Sequence, residues 1–248
     1  MRLEGLLRAC TVTVALALCH ATGQAQMLLD REDVYRIEVI VFERAAPLDP
    51  YYRFPGLPRT DHAVQVELDE NISAGPIMSR NRVPFWPAEF RDLRPVRDRL
   101  ERLGEYRPLL TMAWEQKAEV FGATAPVSVR GGRVLERSEA PAISLLDKAT
   151  DPTQLTEVEG TATLERGRFI HVALDLAFRR PQNTEGPVLP MTTRLRFDVD
   201  HRYQVHRINE SRQVELDRVQ YFDHPKFGAL VLVKAVEPDE PPRQASNY

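Results

Sequence analysis

Asp223 and His224 stand side by side in Tyr221-Phe222-Asp223-His224-Pro225-Lys226-Phe227-Gly228, directly before the apolar run Ala229 to Val233. A carboxylate that orients an imidazole is the core of many general-base pairs. Adjacent residues rarely aim their side chains at one another in that way. Pro225 fixes its own φ and pushes His224 into an extended conformation, and Gly228 can supply a positive φ. Asp223 can bond backbone N–H groups one or two residues on. The segment therefore reads as a tight corner feeding a buried strand, with Tyr221, Asp223, His224, Pro225 and Gly228 in structural roles.

Other chemistry finds less support. His201, His206 and His224, with Asp200 or Asp223, carry metal-ligating groups. Residues five apart on a strand face opposite sides, however, and the spacing matches no zinc pattern. No Gly-x-Ser-x-Gly turn exists to expose a nucleophilic serine, and Ser211 lies in a charged segment. Paired carboxylates for glycan cleavage need no local signature, so a hydrolase stays open as an alternative. No catalytic, cofactor-binding or metal-binding residue is assigned. Flat aromatic rings stack on sugars, which makes Trp86, Trp114, Tyr51 and Tyr52 the candidate ligand-binding residues. Trp114 lies in an apolar strand, where the core is the better reading. Trp86 and the Tyr51-Tyr52 pair lie among prolines, in loop context.

The N-terminus bears on the compartment. Arg2 and Arg8 precede and flank an apolar stretch from Ala9 to Cys19, and Gly23 and Ala25 sit at −3 and −1 of a cut before Gln26. That is the layout of a cleaved secretory signal, residues 1–25, and the stretch is too short to span a membrane. Cys10 and Cys19 both lie within it, so the mature chain would have no disulfide and no thiol nucleophile. Cys19 would be the modified residue of a lipoprotein, but Leu18 stands where a small residue is needed, so lipidation is not expected. Losing two arginines and one glutamate takes the formal charge from −3 to about −4, which removes the basic footprint of a nucleic-acid binder.

Around these residues the pattern is mostly β. Val34–Glu43 alternates and then turns apolar on both faces, as a strand running into the middle of a sheet does. Arg44–Arg59 is broken by prolines, and Ala63–Leu68 suits a short strand. Pro95–Leu103 places Val96, Leu100 and Leu103 on one helical face, with Gly104 as its cap. Leu109–Gln116 is a strand, and Gly131-Gly132 suits a turn. Val158–Leu164 and Phe169–Phe178 form a hairpin, as do Leu195–Val199 and Tyr203–Ile208. Val219–Phe222 and Ala229–Val236 complete an α+β chain of antiparallel or mixed sheet with one or two short helices. Residues 26–236 read as one domain, and 237–248 as a disordered tail.

Several of these segments carry a family resemblance. Tyr35-Arg36-Ile37-Glu38-Val39-Ile40-Val41-Phe42-Glu43, Trp114-Glu115-Gln116, Leu174-Asp175-Leu176 and the passage from Ser211-Arg212 through Glu215 to Tyr221–Pro225 resemble the CsiV family of periplasmic, peptidoglycan-binding proteins. The family usually shows two adjacent arginines and a His-Tyr pair, where this chain has Arg212-Gln213 and Gln220-Tyr221. The resemblance implies a periplasmic, non-enzymatic scaffold that contacts peptidoglycan and supports a penicillin-binding synthase through its outer-membrane lipoprotein activator. The alternatives are a wall-modifying hydrolase with unrecognised carboxylates and an envelope adaptor without wall affinity. The arginine-rich composition suits bidentate binding of stem-peptide carboxylates, although genomic base composition explains the same bias more simply.

Overall fold

A computed structural model describes residues 33–46, 53–66, 77–135, 155–181 and 203–236. Among these residues, ten strands and one helix follow one another: β1 Val34–Arg44, β2 Ile77–Met78, β3 Pro84–Pro87, α1 Arg94–Leu103, β4 Tyr106–Lys117, β5 Val127–Val134, β6 Thr156–Arg166, β7 Ile170–Pro181, β8 Tyr203–Val214, β9 Gln220–Asp223 and β10 Phe227–Ala235. They build a six-stranded sheet in the order β2-β3-β4-β1-β10-β9 and a four-stranded meander β5-β6-β7-β8. All pairs of named strands are antiparallel.

β1 takes the central place its apolar second half predicts, between β4 and β10. Its alternation divides the molecule into layers. Ile37, Val39 and Val41 join Trp114, Phe222, Phe227 and Val231 from the larger sheet and Val158, Leu174, Leu176 and Phe178 from the smaller one in a single apolar cluster. Ile40, Phe42, Ala113 and Leu232 point to the other face, where Ala88, Phe90 and Leu93 cover them. Helix α1 rests on this second cluster through Val96 and Leu100.

α1 has Pro95 in its first turn and Gly104 at φ 67 past its end, but its N-cap, Leu93, offers no side-chain bond. The carboxylate of Glu38 on β1 does that work from outside. It accepts the backbone N–H groups of Arg91 (3.1 Å), Asp92 (3.0 Å) and Leu93 (2.8 Å) while only 1% exposed. A carboxylate at this point satisfies orphan donors and complements the helix dipole.

Several expectations are corrected. Leu103 does not join the buried face of the helix; it is 53% exposed. Pro84-Phe85-Trp86-Pro87 is a strand, because both prolines sit at its ends and Phe85 and Trp86 supply the interior ladder. Gly131-Gly132 lies within β5, where Gly132 at φ 80 forms part of a bulge against β6. In 63–66, Val64 alone bridges, in parallel, to Val127. Leu195–Val199, the segment 1–25 and the tail 237–248 lie outside the described residues.

Candidate functional site

On the face of the larger sheet that also carries α1, four side chains line up across four strands, with Glu115 buried among them. Trp86 of β3 lies opposite Glu115 of β4, Glu115 opposite Arg36 of β1, and Arg36 opposite Lys234 of β10. The strand period of two sets this row. Phe85 turns into the inter-sheet core at 0% exposure, so its neighbour Trp86 turns outward, and it is half-buried there. Arg36 donates through Nε (3.1 Å) and Nη2 (2.9 Å) to Glu115 Oε1. Lys234 Nζ stands 3.3 Å from Asp92 Oδ2, which ties the row to the segment leading into α1. An aromatic face beside an ordered carboxylate and two cations can stack on a sugar ring and bond its polar substituents.

Trp114 does not belong to this surface. It is 1% exposed, and its indole N–H donates to Gln116 Oε1 at 2.7 Å, so the expectation that it binds a ligand is corrected. Two residues apart on one strand, Trp114 and Gln116 face the core together, and Gln116 satisfies the one polar atom the indole buries there. Tyr51 and Tyr52 lie outside the described residues. Arg36, Glu115 and Lys234 escaped the sequence reading. Their available signal was a charge at a position of an otherwise apolar strand.

The terminal corner connects β9 to β10. His224 donates its backbone N–H to Phe227 O (3.1 Å), and its ring Nδ1 accepts the Lys226 N–H at 3.1 Å. The turn is thus held by the imidazole and not, as expected, by backbone bonds to Asp223. Burial holds the His224 ring below the ordinary histidine range. The Asp223 carboxylate instead accepts the Tyr221 hydroxyl at 2.5 Å and pairs with Arg44 Nη1 at 3.1 Å. Arg44 also donates to the Tyr221 oxygen. Burial, and then the bond to Asp223, pushes the Tyr221 phenol up to about 12.

Gly228 has no positive φ; it lies within β10. A Cβ there would come within 2.8 Å of both the Phe42 and the Tyr221 rings, which stack 6.1 Å apart at 14°. Arg212 of β8 reaches across to Tyr221 O (2.7 Å) and lies 5.2 Å from the Phe222 ring centroid, joining the smaller sheet to the corner. His206 and His224 bring their rings to 5.4 Å of one another, while His201 and Asp200 lie outside the described residues. Among the described residues, no group of three or more His, Cys, Asp or Glu is placed to hold a metal ion.

A family model described as "Peptidoglycan-binding protein, CsiV" matches residues 11–236. The chain belongs to the CsiV family. No curated protein and no solved structure matches it. The CsiV match takes in both sheets, α1 and the terminal corner, and it ends at Val236, one residue past β10. Among the described residues of this CsiV protein, no helix is long and apolar enough to cross a membrane.

Proposed function

We propose that the chain is a non-catalytic, periplasmic scaffold that binds peptidoglycan and supports cell-wall assembly and cell shape. Membership of the CsiV family over residues 11–236 is the observation that carries this reading. The row Trp86–Glu115–Arg36–Lys234 is the surface that suits it. Trp86 offers a ring face for a pyranose and Lys234 a cation for a stem-peptide carboxylate, with the buried Glu115 behind them. Arg36 holds Glu115 in place.

In this reading residues 1–25 are removed on export, 26–236 act as one unit, and 237–248 trail as a tail. The corner Tyr221, Asp223, His224, Pro225 and Gly228 is architecture. The protein partners are a penicillin-binding synthase and its outer-membrane lipoprotein activator.

Purified sacculi incubated with the exported protein test the proposal. The protein is expected to sediment with the wall and to release no soluble muropeptides. Muropeptide release that a single Asp or Glu substitution abolishes would establish the hydrolase reading instead. Capture of a protein partner by crosslinking, with no sedimentation on sacculi, would establish an adaptor without wall affinity.

A further inference from the structure

One end of the molecule gathers apolar side chains that nothing among the described residues covers. The loop after β4 presents Val120, 50% exposed, and Phe121, 81% exposed; the β6–β7 turn presents Phe169, 50% exposed. The two loops form one tip. Phe121 donates its N–H to Arg166 O at 2.6 Å, and its ring lies 3.2 Å from where a Cβ on Gly167 would stand. A third loop, between β2 and β3, joins them where the Asn81 side-chain amide donates to Thr124 O at 2.6 Å.

Two features separate this tip from scattered surface apolars. Phe121 is held at φ 54, a left-handed conformation that bulky residues rarely adopt, so its outward projection is kept against a backbone cost. The charges around it are also uneven. Asp33, Glu119 and Glu215 are taken up by Arg166, Lys117 and Arg218. The exposed Arg80, Arg82 and Arg168 form no ion pair among the described residues, and the Arg168 guanidinium instead lies 5.6 Å from the Phe169 ring centroid. Among the described residues at this end, those three cations outnumber the exposed carboxylates left, Glu165 and Asp217.

We propose that this tip docks on the surface of an anionic lipid bilayer. A projecting aromatic tip with arginines around it fits the interfacial layer of a membrane, where rings enter the acyl boundary and guanidinium groups stay among the phosphates. A protein interface would more naturally bury such rings in a flat or concave patch with charges depleted from its centre.

Vesicle flotation of the exported full chain tests the proposal independently of wall binding. Phosphatidylglycerol-containing vesicles should carry the protein up the gradient, and neutral phosphatidylcholine vesicles should carry much less. Phe121→Asp and the triple charge reversal Arg80→Glu, Arg82→Glu, Arg168→Glu should each lower the floated fraction about tenfold, because each removes one of the two terms of interfacial binding. Both changes are on exposed side chains, and circular dichroism checks that the fold is kept. Trp86→Ala should float as the wild type does, which separates this surface from the proposed wall-binding face. Wild-type protein that stays at the bottom with anionic vesicles, equal flotation with neutral ones, or unaltered flotation of Phe121→Asp would each overturn the proposal.

Discussion

Tyr221 is the residue where the local chemistry is most unusual. Its hydroxyl lies between the Arg44 guanidinium and the Asp223 carboxylate, its ring stacks on that of Phe42, and its phenol is raised to about 12. Burial stabilises the neutral phenol, and the bond to Asp223 needs its proton. The folded protein therefore holds that proton more tightly than the unfolded chain does, so the stabilisation is present below pH 10.0, the ordinary tyrosine value, and is lost as pH rises through about 12. Burial also raises the Tyr35 phenol, so an ultraviolet titration of phenolate should show both tyrosines ionising late, and Tyr221→Phe should reduce that late change. A late change of undiminished size in Tyr221→Phe would show that Tyr221 does not contribute to it. The sequence foresaw a corner here, since Pro225 constrains what precedes it. It did not foresee that Gly228 is demanded by two aromatic rings, because both Phe42 and the pairing of β9 with β10 are needed to see the clash. Trp114 was ambiguous for a related reason: an indole in an apolar strand reads the same whether its face is covered or bare.

At the scale of elements, β1 explains most of the architecture. Its residues alternate between the inter-sheet core and the helix-facing cluster, and one acidic residue among them, Glu38, caps α1 across the sheet. Glu38→Gln should lower stability by about 2 kcal/mol, because the amide can accept from the helix entrance with one oxygen only and turns N–H groups toward other donors. Chemical denaturation measures this, and a cost near zero would mean that water caps the helix as well as the carboxylate does. The strong period-two runs of β1, β4, β6, β7 and β10 were legible in the sequence because one buried face writes itself into alternate residues. β3 and β5 were not. Prolines at the ends of a four-residue strand and glycines at a bulge carry the same composition as loops, and partner strands decide between the two.

For the whole molecule, the two sheets are joined at one end by a charged cluster as well as by their shared core. Glu157 of β6, 0% exposed, accepts from Arg107 of β4 at 2.9 and 3.1 Å and from Arg133 of β5 through Nε at 2.8 Å. Burial alone would raise its carboxyl, but the bonds from the two arginines outweigh it and hold Glu157 below the ordinary value of 4.5. Its stabilisation is therefore present above pH 4.5 and is lost as pH falls through the lowered value. Melting curves should lose stability more steeply below pH 4.5 in the wild type than in Glu157→Gln. Equal slopes would place the acid sensitivity elsewhere. The proposed binding surface is a property of the same scale, since Trp86, Glu115, Arg36 and Lys234 come from four strands and no local motif records their meeting. Co-sedimentation with purified sacculi, wild type beside Trp86→Ala, tests that surface most directly. The wild type should sediment with the wall, and Trp86→Ala should bind about tenfold more weakly, as the loss of a stacking ring of roughly 1.4 kcal/mol requires. Wild-type protein that stays in the supernatant across a range of salt would contradict wall binding, and full binding by Trp86→Ala would contradict its placement on this face.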